Sequence, residues 1–246
     1  MTIRFARIAL LTLFVTAAAI SASTSASAQA IGDTDAEHGS WFGYRDLYQA
    51  MIRFDKYGKP KQFIQSRLQV VALDKSASID GIRLTLTSKS LHVNLPVDAA
   101  GLVVFPLLKA AYDENAEMQV NRPNESVRLE PVTTIIPRAD GIYDMGDLHT
   151  ACEQALQFAH YINNANARGK QCAGIRFAFS RDASDVVIKL RAADQRETRL
   201  TITEGSPFDN NTMARFKLAS YRFADGADKA QIQTSTVPLT ITAQFE

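Results

Sequence analysis

The sequence predicts a mainly β chain with two helices, an α+β fold in which antiparallel, sandwich-like halves are joined by a central helix. Three observations carry that expectation. Ile82, Leu84 and Leu86 alternate with Arg83, Thr85 and Thr87, and Leu91, Val93 and Leu95 with His92 and Asn94, the period of strands buried on one face. Two other segments repeat their apolar residues every three or four positions, the period of a helix. Turn residues such as Asp80-Gly81 and Ser88-Lys89-Ser90 punctuate the alternating runs.

Taken in order, residues 1–30 read as a cleavable signal peptide. Arg4 and Arg7 form a short cationic start, residues 8–20 are apolar and uncharged, and a Ser/Ala-rich stretch follows. Small residues place cleavage after Ala28 or Ala30. The apolar run is shorter than the roughly 20 residues of a membrane span, and no cysteine nearby could take a lipid. The reading is therefore of a periplasmic protein whose mature chain has no transmembrane span.

Residues 31–38 read as a flexible N-terminus, residues 39–146 as a helix and a first β-rich half, and residues 147–246 as the central helix and a second β-rich half. The first helix rests on Tyr44, Leu47, Tyr48, Met51, Ile52 and Phe54, with Ser40 as a possible cap and Gly58-Lys59-Pro60 as the stop. Strand patterns then cover residues 63–73, 82–87, 91–95, 102–105, 116–121 and 127–136. Pro131 restricts the last to an edge or a bulge. The central helix is expected to be capped by Asp147, to bury Leu148, Ala151, Cys152, Ala155, Leu156, Ala159 and Ile162, and to end at Asn163-Asn164. Beyond it, Ile175/Phe177/Phe179, Val186/Ile188/Leu190, Leu200/Ile202, Phe216/Leu218 and Leu239/Ile241/Ala243/Phe245 mark further strands.

Charge narrows the partners. The chain carries 27 basic and 26 acidic residues, and loss of Arg4 and Arg7 leaves 25 against 26. These charges are interleaved, whereas nucleic-acid binding relies on clustered Lys and Arg, so no nucleic-acid partner is expected. Cys152 and Cys172, an even pair in an exported chain, read as a disulfide. The rival chemistries fit poorly: Cys-x-x-Cys spacing is absent, and a zinc site recruiting His149 lacks a fourth ligand.

No nucleophile elbow, zinc-binding His-Glu-x-x-His, phosphate loop or EF-hand is present, and no cofactor is expected. The dispersed candidates for catalysis are His149, Glu153 and Asp144, since His149 and Glu153 lie one helical turn apart. Asp140, Asp144 and Asp147 could hold a hard cation, although an Asp-Gly turn and a helix cap explain the same residues. Trp41, Phe42, Tyr44 and Tyr48 make the most aromatic stretch, either core or a partner-docking surface.

The run Leu95-Pro96-Val97-Asp98-Ala99-Ala100-Gly101-Leu102-Val103-Val104-Phe105-Pro106, followed by Tyr112-Asp113-Glu114-Asn115-Ala116 and Asn121, resembles uncharacterised exported proteobacterial proteins grouped as a domain of unknown function. Its Pro-x-Asp-x-x-Gly hairpin is similar to turns in transthyretin-like and immunoglobulin-like sandwich modules. The resemblance implies an exported β-rich protein and brings no catalytic residues. Together these readings favour a soluble periplasmic binding or envelope accessory protein without catalysis, contacting an envelope protein or a peptide. A periplasmic hydrolase with a site near the start of the central helix is the alternative. A small outer-membrane β-barrel, suggested by the alternating strand ending in Phe245, is a further one.

Overall fold

The strands pair antiparallel in every case in the computed structural model, which describes residues 40–74, 79–122, 126–209, 216–223 and 229–246. The signal peptide, residues 31–38 with His38, and the 225–228 turn lie outside the described residues. In chain order the elements are β1 (Ser40–Gly43), α1 (Tyr44–Asp55), β2 (Ile64–Ala72), β3 (Leu84–Thr87), β4 (His92–Leu95), β5 (Leu102–Val103), α2 (Lys109–Asp113), β6 (Glu117–Val120), β7 (Val127–Ile135) and β8 (Ile142–Asp144). Then follow α3 (Met145–Tyr161), a 3-10 turn (Ala165–Ala167), β9 (Cys172–Phe179), β10 (Ile188–Arg191), β11 (Glu197–Arg199), β12 (Thr203–Gly205), β13 (Phe216–Arg222), β14 (Gln231–Thr234) and β15 (Thr240–Phe245). The fold is mainly β, with antiparallel sheets and a short third helix, α2, beyond the two that periodicity indicates.

The strands form a seven-stranded sheet in the order β12-β13-β9-β15-β7-β2-β5 and two four-stranded sheets, β1-β6-β3-β4 and β11-β10-β14-β8. One face of the large sheet supports two cores. At one end Ile64, Ile135, Ile175, Phe177 and Ile241 meet Met145, Leu148, Ala151 and Phe158 of α3 and Ile188 and Ile232 of the β10–β14 pair. At the other, Leu68, Val70 and Leu129 meet Leu84, Leu86, Met118 and Val120 of the β3–β6 pair, closed by Tyr44, Leu47 and Met51 of α1. A smaller cluster of Leu102, Ala178, Phe216 and Leu218 lies elsewhere on the large sheet, and the register of Leu102 opposite Gln69 puts it on the opposite face.

Several local outcomes differ from the periodicity. Ser40 does not cap α1: residues 40–43 pair with β6, and Gly43 stands at the N-cap. Helix α3 starts at Met145 with Asp144 at its N-cap, so Asp147 falls in the first turn, where a carboxylate complements the helix dipole but caps nothing. Its end is as expected, with Asn163 in the left-handed region at φ 57°. Leu200 and Ile202 lie between two short strands, where the chain passes from β10's partner β11 to β13's partner β12. Pro131 sits in an internal strand, opposite Leu68 of β2. Strand β15 pairs with β7 only at Ile135, so the proline has a strand on one side and costs no ladder bond.

Helix α1 is closed by a lysine. The Lys61 ammonium donates to the carbonyls of Phe54, Asp55 and Tyr57 at 2.6, 2.7 and 3.1 Å, satisfying acceptors that the last turn leaves open. Cys152 of α3 is bonded to Cys172 at the start of β9, with the Cα atoms 6.0 Å apart, and so staples the helix to one end of an interior strand of the large sheet.

Two outcomes follow. With the cysteines 20 positions apart in sequence, reducing the bond should lower the unfolding free energy by about 3 kcal/mol, read as a lower urea midpoint for the reduced protein than for the oxidised one. Gln69 is fully buried on β2 with both side-chain amide atoms unpartnered. Replacing an unsatisfied buried amide by an apolar chain of similar shape removes a desolvation penalty of about 1–3 kcal/mol, so Gln69→Met should raise the melting temperature.

Candidate functional site

The aromatic segment divides by strand and helix geometry. On β1 successive side chains alternate, so Phe42 turns toward the core while Trp41 points outward with 47% of its surface exposed. Tyr44 opens α1 fully buried, its hydroxyl donating to the Pro106 carbonyl at 2.6 Å and accepting from the Leu108 N–H at 2.8 Å. Burial pushes its pKa above the ordinary phenol value. Its ring stacks on Phe105 at 5.1 Å, and Tyr48 leans on Tyr112 at 4.9 Å, beneath the Arg45 guanidinium. Of the four aromatic candidates, Tyr44 and Tyr48 therefore anchor α1 to the 105–112 segment, and Trp41 faces outward.

The strand register extends the Trp41 face. Trp41 lies opposite Gln119 of β6, Gln119 opposite Thr85 of β3, and Thr85 opposite Asn94 of β4. A second row runs Gly43, Glu117, Thr87, His92. Every residue in both rows is exposed or half-exposed. The alternate residues Met118, Val120, Leu84, Leu86 and Leu95 are buried in the core behind. The Thr85 hydroxyl donates to Asn94 Oδ1 at 3.1 Å, and Thr87 Oγ1 lies 3.4 Å from His92 Nδ1. The result is an open sheet face, four strands wide, of hydroxyls, amides, one carboxylate, one imidazole and one indole. Sequence reading singled out Trp41 but missed Gln119, Thr85 and Asn94, because only the pairing brings them beside it.

The acidic segment is held by its own neighbours. Asp140 takes both ends of the Arg138 guanidinium, at 3.1 and 2.7 Å, and accepts the Ile142 N–H at 3.1 Å, across a turn where Gly141 has φ 66°. The guanidinium, assisted by that N–H, lowers the Asp140 carboxyl to about 2. Asp144 accepts from the Gln231 amide at 2.9 Å, and Asp147 lies in the first turn of α3. Among the described residues no three His, Cys, Asp or Glu side chains gather as a metal site.

The catalytic candidates are likewise separated. His149 is exposed on α3, its ring edge-on to Phe223 at 4.9 Å, and Glu153 is half-buried one turn on. Among the described residues no hydrogen bond joins His149, Glu153 and Asp144 to one another. His160 reaches the Ala167 carbonyl at 2.8 Å and holds the 3-10 turn to the helix.

Two acids that the sequence did not single out have defined settings. Glu114, after α2, accepts from both the Ser88 and Ser90 hydroxyls at 2.6 Å and from the Ser90 N–H at 3.0 Å; these bonds hold its carboxyl below the ordinary range. Asp98 of the Pro-x-Asp-x-x-Gly turn accepts from the N–H groups of Ala100 and Leu102, both at 2.8 Å. Desolvation nevertheless raises its pKa, with the two N–H groups and nearby Arg67 opposing. A cleft of about 140 Å³ opens beside it, lined by Ile79, Asp80, Gly81, Ile82, Val97 and Ala99.

Comparison of the chain with protein-family models, with curated proteins and with solved structures found no match.

The Asp140–Arg138 pair gives a pH test. A carboxyl lowered on folding stabilises fully above its unfolded value of about 3.9, and the contribution is lost as pH falls through the folded value of about 2. Asp140→Asn should therefore melt below the wild type at neutral pH, and the gap should close as the pH approaches 2 in paired thermal melts.

Proposed function

We propose that the protein is a soluble periplasmic binding module, an envelope accessory protein without catalytic activity. The observation that carries this reading is the open outer face of the β1-β6-β3-β4 sheet, on which Trp41 stands 47% exposed among hydroxyl and amide side chains. An exposed tryptophan beside unburied polar groups is a common form of recognition surface, because the indole offers a large rigid contact area at small entropic cost. The acid and base candidates support the same reading: Asp140 is occupied by Arg138, Asp144 by Gln231, and His149 packs on Phe223. The Cys152–Cys172 bond suits an oxidising compartment. No helix among the described residues is long and apolar enough to cross a membrane, which fits a mature chain released from its signal peptide.

Osmotic shock of cells expressing the full chain should release the protein with the periplasmic fraction. Cross-linking in the intact envelope should capture a component through the Trp41 face, and the capture should be unchanged by His149→Ala. A hydrolytic activity that disappears in the His149→Ala protein would reverse the assignment in favour of a site on α3.

A further inference from the structure

We infer that the outer face of the β1-β6-β3-β4 sheet binds an uncharged polysaccharide chain, with Trp41 stacking on one sugar ring and Gln119, Thr85 and Asn94 exchanging hydrogen bonds with the hydroxyls of its neighbours. This rests on the binding-module reading and names the ligand class of that same face. A pyranose ring has an apolar face of C–H groups and a rim of hydroxyls that both donate and accept. Its complement is an aromatic plane beside amides and hydroxyls, since these too donate and accept.

The two rows on the sheet supply that combination. Three strand spacings separate Trp41 from Asn94, about 14 Å, a length that spans more than one ring. The Asn94 carbonyl oxygen is committed to the Thr85 hydroxyl, so the Asn94 amino group is left as a donor toward solvent. The Gln119 side-chain amide has no hydrogen-bond partner among the described residues and stands between Trp41 and Thr85. Short side chains at Gly43, Thr85 and Thr87 keep the surface low, so an extended chain can lie across all four strands.

Charge selects against other ligands. The two rows hold one carboxylate, Glu117, and one titratable base, His92, with no lysine or arginine. An anionic polymer, whether nucleic acid, acidic peptide or uronate chain, would meet Glu117 in these rows, and Arg83, two residues before Thr85 on the same side of the strand, already has an interaction partner. A protein partner would be expected to seat on an apolar cluster, whereas Trp41 is the single large apolar side chain in these rows.

Trp41 is the only tryptophan of the chain, so its fluorescence reports this face directly. The full mature protein would be titrated with β-1,4-linked and α-1,4-linked glucose oligomers and with β-1,4-linked N-acetylglucosamine oligomers, alginate serving as the anionic control. A saturable emission shift with an uncharged oligomer and none with alginate is expected. In gels containing the matching polysaccharide, Trp41→Ala should weaken retention by about ten-fold or more and Asn94→Ala by about five-fold. Both sites are exposed, so the melting temperatures should not change. No shift with any uncharged oligomer, or retention equal in wild type and both variants, overturns the inference. Should the envelope cross-link instead trap a protein through Trp41 while no sugar binds, the glycan inference fails and the binding-module reading stands.

Discussion

Nine consecutive residues of β2 and β7 lie opposite one another, from Ile64 with Ile135 to Ala72 with Val127, and both large cores hang on that one register. Ile64 and Ile135 point into the core beneath α3, and Leu68, Val70 and Leu129, further along the same face, point into the core beneath α1 and β3. The opposite face of the pair carries Gln65, Arg67, Glu130, Val132 and Thr134. Gln65 donates to Thr134 at 3.2 Å and accepts from Arg67 at 2.7 Å, and Arg128 is paired with Glu130. A slip of one residue would exchange the two faces and drive these polar groups into both cores at once. The long register therefore does more than add hydrogen bonds: it makes the two cores mutually conditional.

Around that pair the remaining elements are held by a small number of directional contacts. Tyr44 fixes α1 through two backbone bonds to the 106–108 segment, and Lys61 closes the helix end. The β4–β5 turn is set by Asp98 and by Gly101, whose φ of 76° and close approach to the Val70 carbonyl would strain any side chain there. The Gly101 carbonyl in turn accepts the Val70 N–H at 2.9 Å, so the turn is tied to β2 itself. The sequence resemblance at this turn thus falls on residues with a clear conformational role.

The legible part of this fold is the part with a long or doubly repeated signal. Strands β3 and β4 alternate over several residues, α3 buries a stripe from Met145 to Ala159, and the cysteines are the only two in the chain. Strands β8 and β14 were missed because each turns a single residue, Tyr143 or Ile232, into the core, and one inward residue has no period. Strand β1 was missed because Trp41 and Phe42 read equally well as the approach to α1. At the candidate site the loss is of another kind. Trp41 is visible as a residue, but Gln119, Thr85 and Asn94 join it on one face only through three strand pairings, two of them between distant parts of the chain.

The position of β15 carries a kinetic consequence. Residues 240–245 lie between β9 and β7, near the middle of the large sheet. Strands β2, β7 and β9 all precede in the chain the strand that sits between β7 and β9, so the sheet stays divided until residues 240–245 pair. Contacts of such long sequence separation are formed late and slowly. Until β15 is seated, β7 and β9 present two unmatched sheet margins, a state in which a holding chaperone has the most to bind.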